Sequence, residues 1–209
     1  MSDNPTRGRW LALSAIVIIV LLIASGISPY DRVTWWLEVA PVLVALPLLS
    51  GTYRRFPLTT LVYVCIALHA IVLIVGGAYT YARVPFGLSV AEWFGLTRNP
   101  YDKLGHFMQG FVPALIAREI LLRGQHVRGP WMLNFIVVCI AVAISAVYEL
   151  SEWAAALLLG QGADEFLGTQ GDPWDTQSDM LYALIGALCA LALLARRQSR
   201  QIKDLIGPR

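Results

Sequence analysis

The stretch WMLNFIVVCIAVAISAVYELSEWAAALLL, residues 131–159, decides what kind of molecule this is. Positions 131–148 carry no charge, and Asn134 and Ser145 are the main polar interruptions. A run of that kind is long enough to cross a bilayer, which takes roughly 20 apolar residues. Glu149 and Glu152 then appear inside the same run. Ionisable groups in or beside hydrocarbon are expensive and are rarely kept without a partner or a task. The one segment therefore predicts a transmembrane helix and a buried polar site on it.

Working outward, further apolar runs lie at about 10–28, 33–50, 57–80, 102–122 and 176–195. The run at 33–50 is interrupted by Glu38, Pro41 and Pro47, and its prolines remove backbone donors. Composition agrees with membrane residence. The 209 residues are 57% hydrophobic and 14% charged, with a mean hydropathy of +0.61, against about 25% charged in soluble domains. The expected fold is all-α: a polytopic membrane helical bundle of about six transmembrane helices, one domain over residues 1–209. Arg7 and Arg9 precede the first run, which reads as an uncleaved anchor because no Ala-x-Ala site follows it cleanly. Cys65, Cys139 and Cys189 lie in apolar runs without metal-type spacing and read as small buried hydrophobes. A net charge of +2 implies no nucleic-acid partner.

Charge placement sets the orientation. Twelve of the sixteen Lys and Arg residues fall at one end of the bundle: Arg7, Arg9, Arg54, Arg55, Arg118, Arg123, Arg128 and the cluster from Arg196 to Arg209. Both termini are therefore expected in the cytoplasm. Asp3, Glu119 and Asp204 share that side, and the other eleven acids lie in the membrane or at the outer end. Trp35, Trp36, Trp93, Trp153 and Trp174 gather at the outer end as an interfacial belt. The outer connection 83–100 contains Ser89-Val-Ala-Glu92, a capping-box pattern that predicts a short surface helix. The Gly-rich, acidic connection 160–175 reads as a solvated loop, or as one folded back over the polar site. His126, in the turn with Arg123 and Arg128, reads as solvated.

Candidate site residues occur in three helical segments. Asn99-Pro100-Tyr101-Asp102 reads as a helix start with Asn as cap, which offers Asp102 an ordinary role at the N-terminus. His106 and Gln109 follow on the same face. Glu149 and Glu152 share a face, with Glu149 about 15 Å from the helix end near Gly160. Two such carboxylates require a proton, a cation or a basic partner between them, and Lys103 and Arg98 are the nearest candidates. Asp175 and Asp179 share a face at the start of the last span, where Asp175 can cap the helix. His69 lies mid-span in the third helix, as a hydrogen-bonded core histidine or as a ligand.

Together, one histidine and up to five carboxylates from three helices suit a divalent cation. The metal candidates are His106, Glu149, Glu152, Asp175 and Asp179, with His69 in addition. An oxygen-rich set favours Mg, Mn or Ca, and the imidazole moves it toward Zn, Mn or Fe. As catalytic groups the candidates are Asp102, His106, Glu149, Glu152 and Asp179.

The strings RNPYDKLGHF (98–107), YELSEW (148–153) and GDPWDTQSDM (171–180) resemble the YjdF-like family of bacterial inner-membrane proteins. More distantly, their order resembles VanZ-like membrane proteins, which pair a D-K-x-x-H-F segment with an E-x-x-Q segment and a final D-x-x-x-N-x-x-G helix. Asp102, Lys103, His106, Phe107, Glu149, Asp179 and Gly186 match that pattern, whereas Glu152 stands for Gln and Ala183 for Asn. The likeness implies a bacterial inner-membrane location, a shared fold and a shared site; it implies no particular reaction. Three functions fit: an outward-opening site that binds a cation or acts on a lipid or cell-envelope substrate, a proton or cation relay, and a non-catalytic subunit whose polar core fixes helix packing. The bilayer is the partner in all three. The deeper positions of the fourth to sixth helices are nearly all apolar, which counts against a continuous relay.

Overall fold

The computed structural model describes residues 5–159 and 169–206. Part of the acidic connection, residues 160–168, lies outside them, as do Asp3 and Arg209. The described residues form seven α-helices and no strand: α1 (Pro5–Ile27), α2 (Arg32–Thr52), α3 (Thr60–Tyr79), α4 (Pro85–Phe94), α5 (Tyr101–Arg123), α6 (Pro130–Leu159) and α7 (Asp175–Ile206), with a 3₁₀ turn at Tyr81–Arg83. The chain is all-helical, as expected. Helices α1, α2, α3, α6 and α7 are each long and apolar enough to cross a membrane. Their outward faces carry exposed Ile, Val and Leu, as at Ile16, Val20 and Ile23 of α1, which suits contact with lipid tails. Helix α5 is 23 residues long, or about 34 Å at 1.5 Å per residue. Its Asp102, Lys103, Arg118, Glu119 and Arg123 hold it below the apolarity of the others. It lies packed among α3, α6 and α7 instead of relying on its own hydropathy.

Side-chain contacts fix the helix directions. Tyr101 Oη donates to the Val72 carbonyl, and Thr59 meets Glu119, so α3 and α5 are antiparallel. Lys103 meets Asp179 while Arg118 meets Gln198, so α5 and α7 run parallel. This parallel pair is the most extensively packed in the molecule. Its closeness depends on two glycines: a Cβ at Gly110 would overlap the Ala183 carbonyl, and one at Gly186 would overlap the Phe107 carbonyl. Without a hydrophobic drive between helices in lipid, such close backbone approach is the main source of attraction. Apolar clusters flank the pair. One joins Val62, Val112, Leu115, Val137 and Ala187, and the other joins Ile18, Trp35, Val39, Ile74 and Tyr101.

The basic end of the bundle is tied by side chains. Arg7 of α1 donates to Thr60 Oγ1 and the Leu58 carbonyl, and Gln201 of α7 accepts from Leu61 N, so both ends of the described chain meet the start of α3. Glu119, fully buried, takes the place of a cap for α3: its two oxygens accept from Thr59 N and Thr59 Oγ1, both at 2.8 Å. Arg123 joins Glu119 at 3.1 Å and the Pro57 carbonyl at 2.6 Å, and lies over the Phe56 ring.

Several local expectations need correction. Helix α2 stays continuous through Pro41 and Pro47. Helix α4 starts at Pro85, so Ser89-Val-Ala-Glu92 lies inside it, and Ser89 Oγ donates back to the Pro85 carbonyl. Proline at the first helical position fixed an earlier start than the capping box implied. Phe86, Trp93 and Phe94 of α4 are exposed, as for a helix lying on a membrane surface. Trp35 is not part of an interfacial belt. It is buried against Gly26 and donates to Ser25 Oγ at 3.0 Å, whereas Trp36, Trp93, Trp153 and Trp174 are exposed. Helix α7 continues to Ile206, well past residue 195, because its last turns are basic and amphipathic rather than broken.

Candidate functional site

The acidic end of the bundle is built on the first turns of α5. Helix α5 begins at Tyr101, and Pro100 precedes it. The cap position falls on Pro100 and not on Asn99 as expected, yet Asn99 Oδ1 still accepts from Tyr101 N at 3.0 Å. Its amide donates to the carbonyls of Ala82 and Val84. Asn99 thus serves the first amide of the helix, the cap residue Pro100 makes no side-chain cap bond, and Asp102 is turned to other partners. Gly105, one turn on, leaves room for the Tyr81 ring, which a Cβ there would meet at 2.6 Å. Tyr81 sits in the 3₁₀ turn, and burial holds its phenol well above the usual range, so it remains neutral.

Two cations and four aspartates tie α5 to α7. Arg98 reaches Asp172 at 2.7 Å and Asp175 at 2.5 Å, and lies 3.9 Å from Asp102. Lys103 reaches Asp175 at 3.0 Å and Asp179 at 2.7 Å, and lies 3.8 Å from Asp102. The expectation that Arg98 and Lys103 would offset Glu149 and Glu152 is therefore not met, since α7 presents its aspartates to them first. Asp175 is an ion-pair residue here, at the start of α7. Asp172 accepts from Trp174 N at 2.9 Å and turns the chain into that helix.

His106 is the hub between this lattice and α6. Its Nε2 lies 3.4 Å from Asp102 and 3.7 Å from Asp179, and its Nδ1 lies 3.6 Å from Glu149 and 3.2 Å from Gln109 Oε1. The Tyr148 ring meets it edge-on at 6.0 Å between centroids. All of Asp102, His106, Glu149, Glu152, Asp175 and Asp179 are buried. Two sets bring one ligand atom from each member within 4.8 Å of the others: His106 with Glu149 and Glu152, and His106 with Asp102 and Asp179. Asp175 and His69 stand outside both sets. His69 Nε2 is buried without a hydrogen-bond partner among the described residues. Glu149 Oε1 and Asp102 Oδ2 are likewise buried without hydrogen bonds there.

A cavity of about 620 Å³ opens beside the cluster. Its walls are mostly apolar side chains of α1, α2, α3, α5 and α6, running from Gly8 and Tyr53 at the basic end toward Tyr81 at the acidic end. At the acidic end Glu38, Asp102, His106, Tyr148 and Glu152 form part of the lining. Glu38 was missed as a site residue. It is buried and accepts from Tyr148 Oη at 3.1 Å. A lone acid in the middle of an apolar run was the available signal, and it was read only as an interruption of α2. Tyr148 and Asp172 were likewise visible within the quoted strings but not assigned a place in the site.

The strings at 98–107, 148–153 and 171–180 thus supply the elements of one cluster. A family model described as "Predicted membrane protein (DUF2238)" matches residues 10–200. The inner membrane protein YjdF of Escherichia coli (strain K12) is 61% identical to this chain over 193 residues, covering 92% of each. No solved structure matches. A family match over residues 10–200, on a chain whose described residues are all-helical with five helices long and apolar enough to cross a membrane, shows that the protein is a multi-pass membrane protein belonging to the DUF2238 family.

Proposed function

We propose that this protein holds a divalent cation on His106, Glu149 and Glu152, in a site facing outward from the inner membrane. We further propose that it acts there on the polar end of a lipid or long-chain cell-envelope compound. The observation that carries the reading is a charge imbalance. Seven buried or half-buried carboxyls (Glu38, Asp102, Glu149, Glu152, Asp172, Asp175 and Asp179) face two permanent cations, Arg98 and Lys103, and both cations are taken up by the aspartates. Glu149 and Glu152 keep no Lys or Arg partner among the described residues. Residues 160–168 contain none in their sequence. A cation between two adjacent carboxylates in a low-dielectric site would offset their repulsion, and His106 completes a nitrogen-plus-oxygen donor set suited to Mn, Fe or Zn.

The cavity supports the choice of substrate. Its apolar length suits an acyl chain and its acidic end would receive the headgroup. A bound divalent cation would supply polarisation of a phosphoryl or carbonyl oxygen. The chain's own groups would position and exchange protons: Glu38 through its bond to Tyr148, and Asp102 through its contact with His106 Nε2. The outward orientation rests on the positive-inside rule applied to the basic end. The apolar cavity walls count against an aqueous proton or cation path.

Metal analysis of detergent-purified protein tests the reading, with Glu149→Gln and His106→Ala alongside. Near-stoichiometric metal in the wild type and loss in both variants is expected. Negligible metal in all three removes the cation, and unchanged metal in both variants moves it elsewhere. Orientation is checked with a Cys-free background carrying Thr97→Cys or Gln125→Cys. An impermeant maleimide should label only the first from outside intact cells.

A further inference from the structure

A second polar feature lies at the opposite end of the molecule and is independent of the outer site. Arg118 of α5 is 8% exposed, and its guanidinium donates only to neutral groups: Gln198 Oε1 at 2.9 Å and Ser199 Oγ at 2.8 Å. Its Nε is buried without a hydrogen-bond partner among the described residues. The adjacent carboxylate, Glu119, is occupied by Thr59 and Arg123. A buried arginine with no carboxylate partner is uncommon, because taking the charge from water costs several kcal/mol unless an opposite charge offsets it.

The guanidinium borders a pocket of about 310 Å³ whose other walls are Ala195, Arg196, Ser199, Arg200 and Lys203 of α7. Arg196, Arg200 and Lys203 recur on one face of the helix and are exposed. None of these three has an ion pair with a carboxylate among the described residues; Asp204 is exposed one position beyond Lys203. Four cations therefore converge on one small concavity. Depth identifies what would meet it. Helix α7 starts at Asp175, and at 1.5 Å per residue Arg196 lies about 31 Å along it. That distance matches the roughly 30 Å hydrocarbon core of a bilayer. With Asp175 at one edge of the hydrocarbon, the pocket would fall at the level of the lipid headgroups at the other.

We infer that the pocket formed by Arg118, Arg196, Ser199, Arg200 and Lys203 is a phosphate-binding site for the headgroup of an anionic phospholipid in the leaflet at the basic end of the bundle. Arg118, fixed by Gln198 and Ser199, would hold the phosphodiester in place, and the three exposed cations would select for negative charge. Basic pockets between transmembrane helices on the cytoplasmic side are suited to such headgroups.

Native mass spectrometry of the full chain tests this, with equal amounts of phosphatidylglycerol and phosphatidylcholine added. Preferential retention of phosphatidylglycerol is expected. The triple variant Arg196→Gln, Arg200→Gln, Lys203→Gln should weaken that retention about 100-fold, at roughly fivefold per cation, and leave phosphatidylcholine unchanged. Its three residues are exposed and unpaired, so it should fold; Arg118→Gln should lose the preference too. Equal retention of the two lipids, or a triple variant that behaves as wild type, overturns the site. Displacement by millimolar inorganic phosphate without any lipid preference assigns the pocket to a soluble anion and overturns the lipid assignment.

Discussion

Replacing Lys103 by Met should markedly destabilise the bundle. The ammonium bridges Asp175 at 3.0 Å and Asp179 at 2.7 Å, and the Asp179 side chain is only 2% exposed. Met conserves most of the volume, so the loss is electrostatic. Asp175 keeps Arg98, but Asp179 is left buried with no Lys or Arg partner, keeping the contact of His106 Nε2 at 3.7 Å. Breaking a buried pair from one side costs about 3–5 kcal/mol. For a chain of this size each kcal/mol moves the melting temperature by about 2–4 °C, so a fall of roughly 6–20 °C is expected. Thermal unfolding in detergent, followed by tryptophan fluorescence, reads it. Adding Asp179→Asn to Lys103→Met should restore more than half of the loss, since the second change removes the stranded charge. A Lys103→Met protein that melts within a degree of wild type would refute the reasoning. So would a double variant whose loss equals the sum of the two single losses.

Gly110→Ala places a Cβ against the Ala183 backbone and should cost about 1–3 kcal/mol. Gly51→Ala, which meets nothing within 4 Å, should be neutral or stabilising by up to about 1 kcal/mol, and paired melting curves separate the two. Glu119→Ala removes the two bonds to Thr59 at the start of α3 and the carboxylate partner of Arg123. It should lower the melting temperature while leaving metal binding at the proposed site on His106, Glu149 and Glu152 unchanged, which checks that the two polar clusters are independent. Asp31 caps α2 by accepting from Thr34 N, and that bond holds its carboxyl below the ordinary value of 3.8. Its stabilisation is therefore full above the unfolded-state value and lost as pH falls through the lower folded one. Asp31→Ala should cost about 1 kcal/mol at pH 7, and the gap to wild type should close in strong acid.

Most of the helices were legible because hydropathy alone marks a segment that must find lipid. Their boundaries were less so where local signals competed, as when Pro85 set the start of α4 ahead of the Ser89 capping box. The convergence of α5, α6 and α7 followed from three strings that each put polar residues on one face. Their internal pairing did not follow. Spacing along a helix says which residues share a face, but not which neighbouring helix that face meets. Arg98 and Lys103 were for that reason matched with the glutamates of α6 rather than with the aspartates of α7. The same gap hid Glu38, whose partner Tyr148 lies far along the chain on α6, and Trp35, whose partner Ser25 lies on the adjoining helix α1. The burial of Glu119 was equally invisible, since a charged residue near a helix end is more often solvated than enclosed.

The polarity of α5 has a consequence for how the molecule is made. A segment carrying Asp102, Lys103, His106, Arg118 and Glu119 gains little by leaving the translocon alone. Its polar partners come largely from α7, which is synthesised more than 50 residues after α5. At about 5–20 residues per second the ribosome needs several seconds to get there. During that interval α5 must wait at the bilayer's edge or lean on α3. Truncation before Asp175 should therefore strand it outside the lipid and mark the nascent protein for proteolysis.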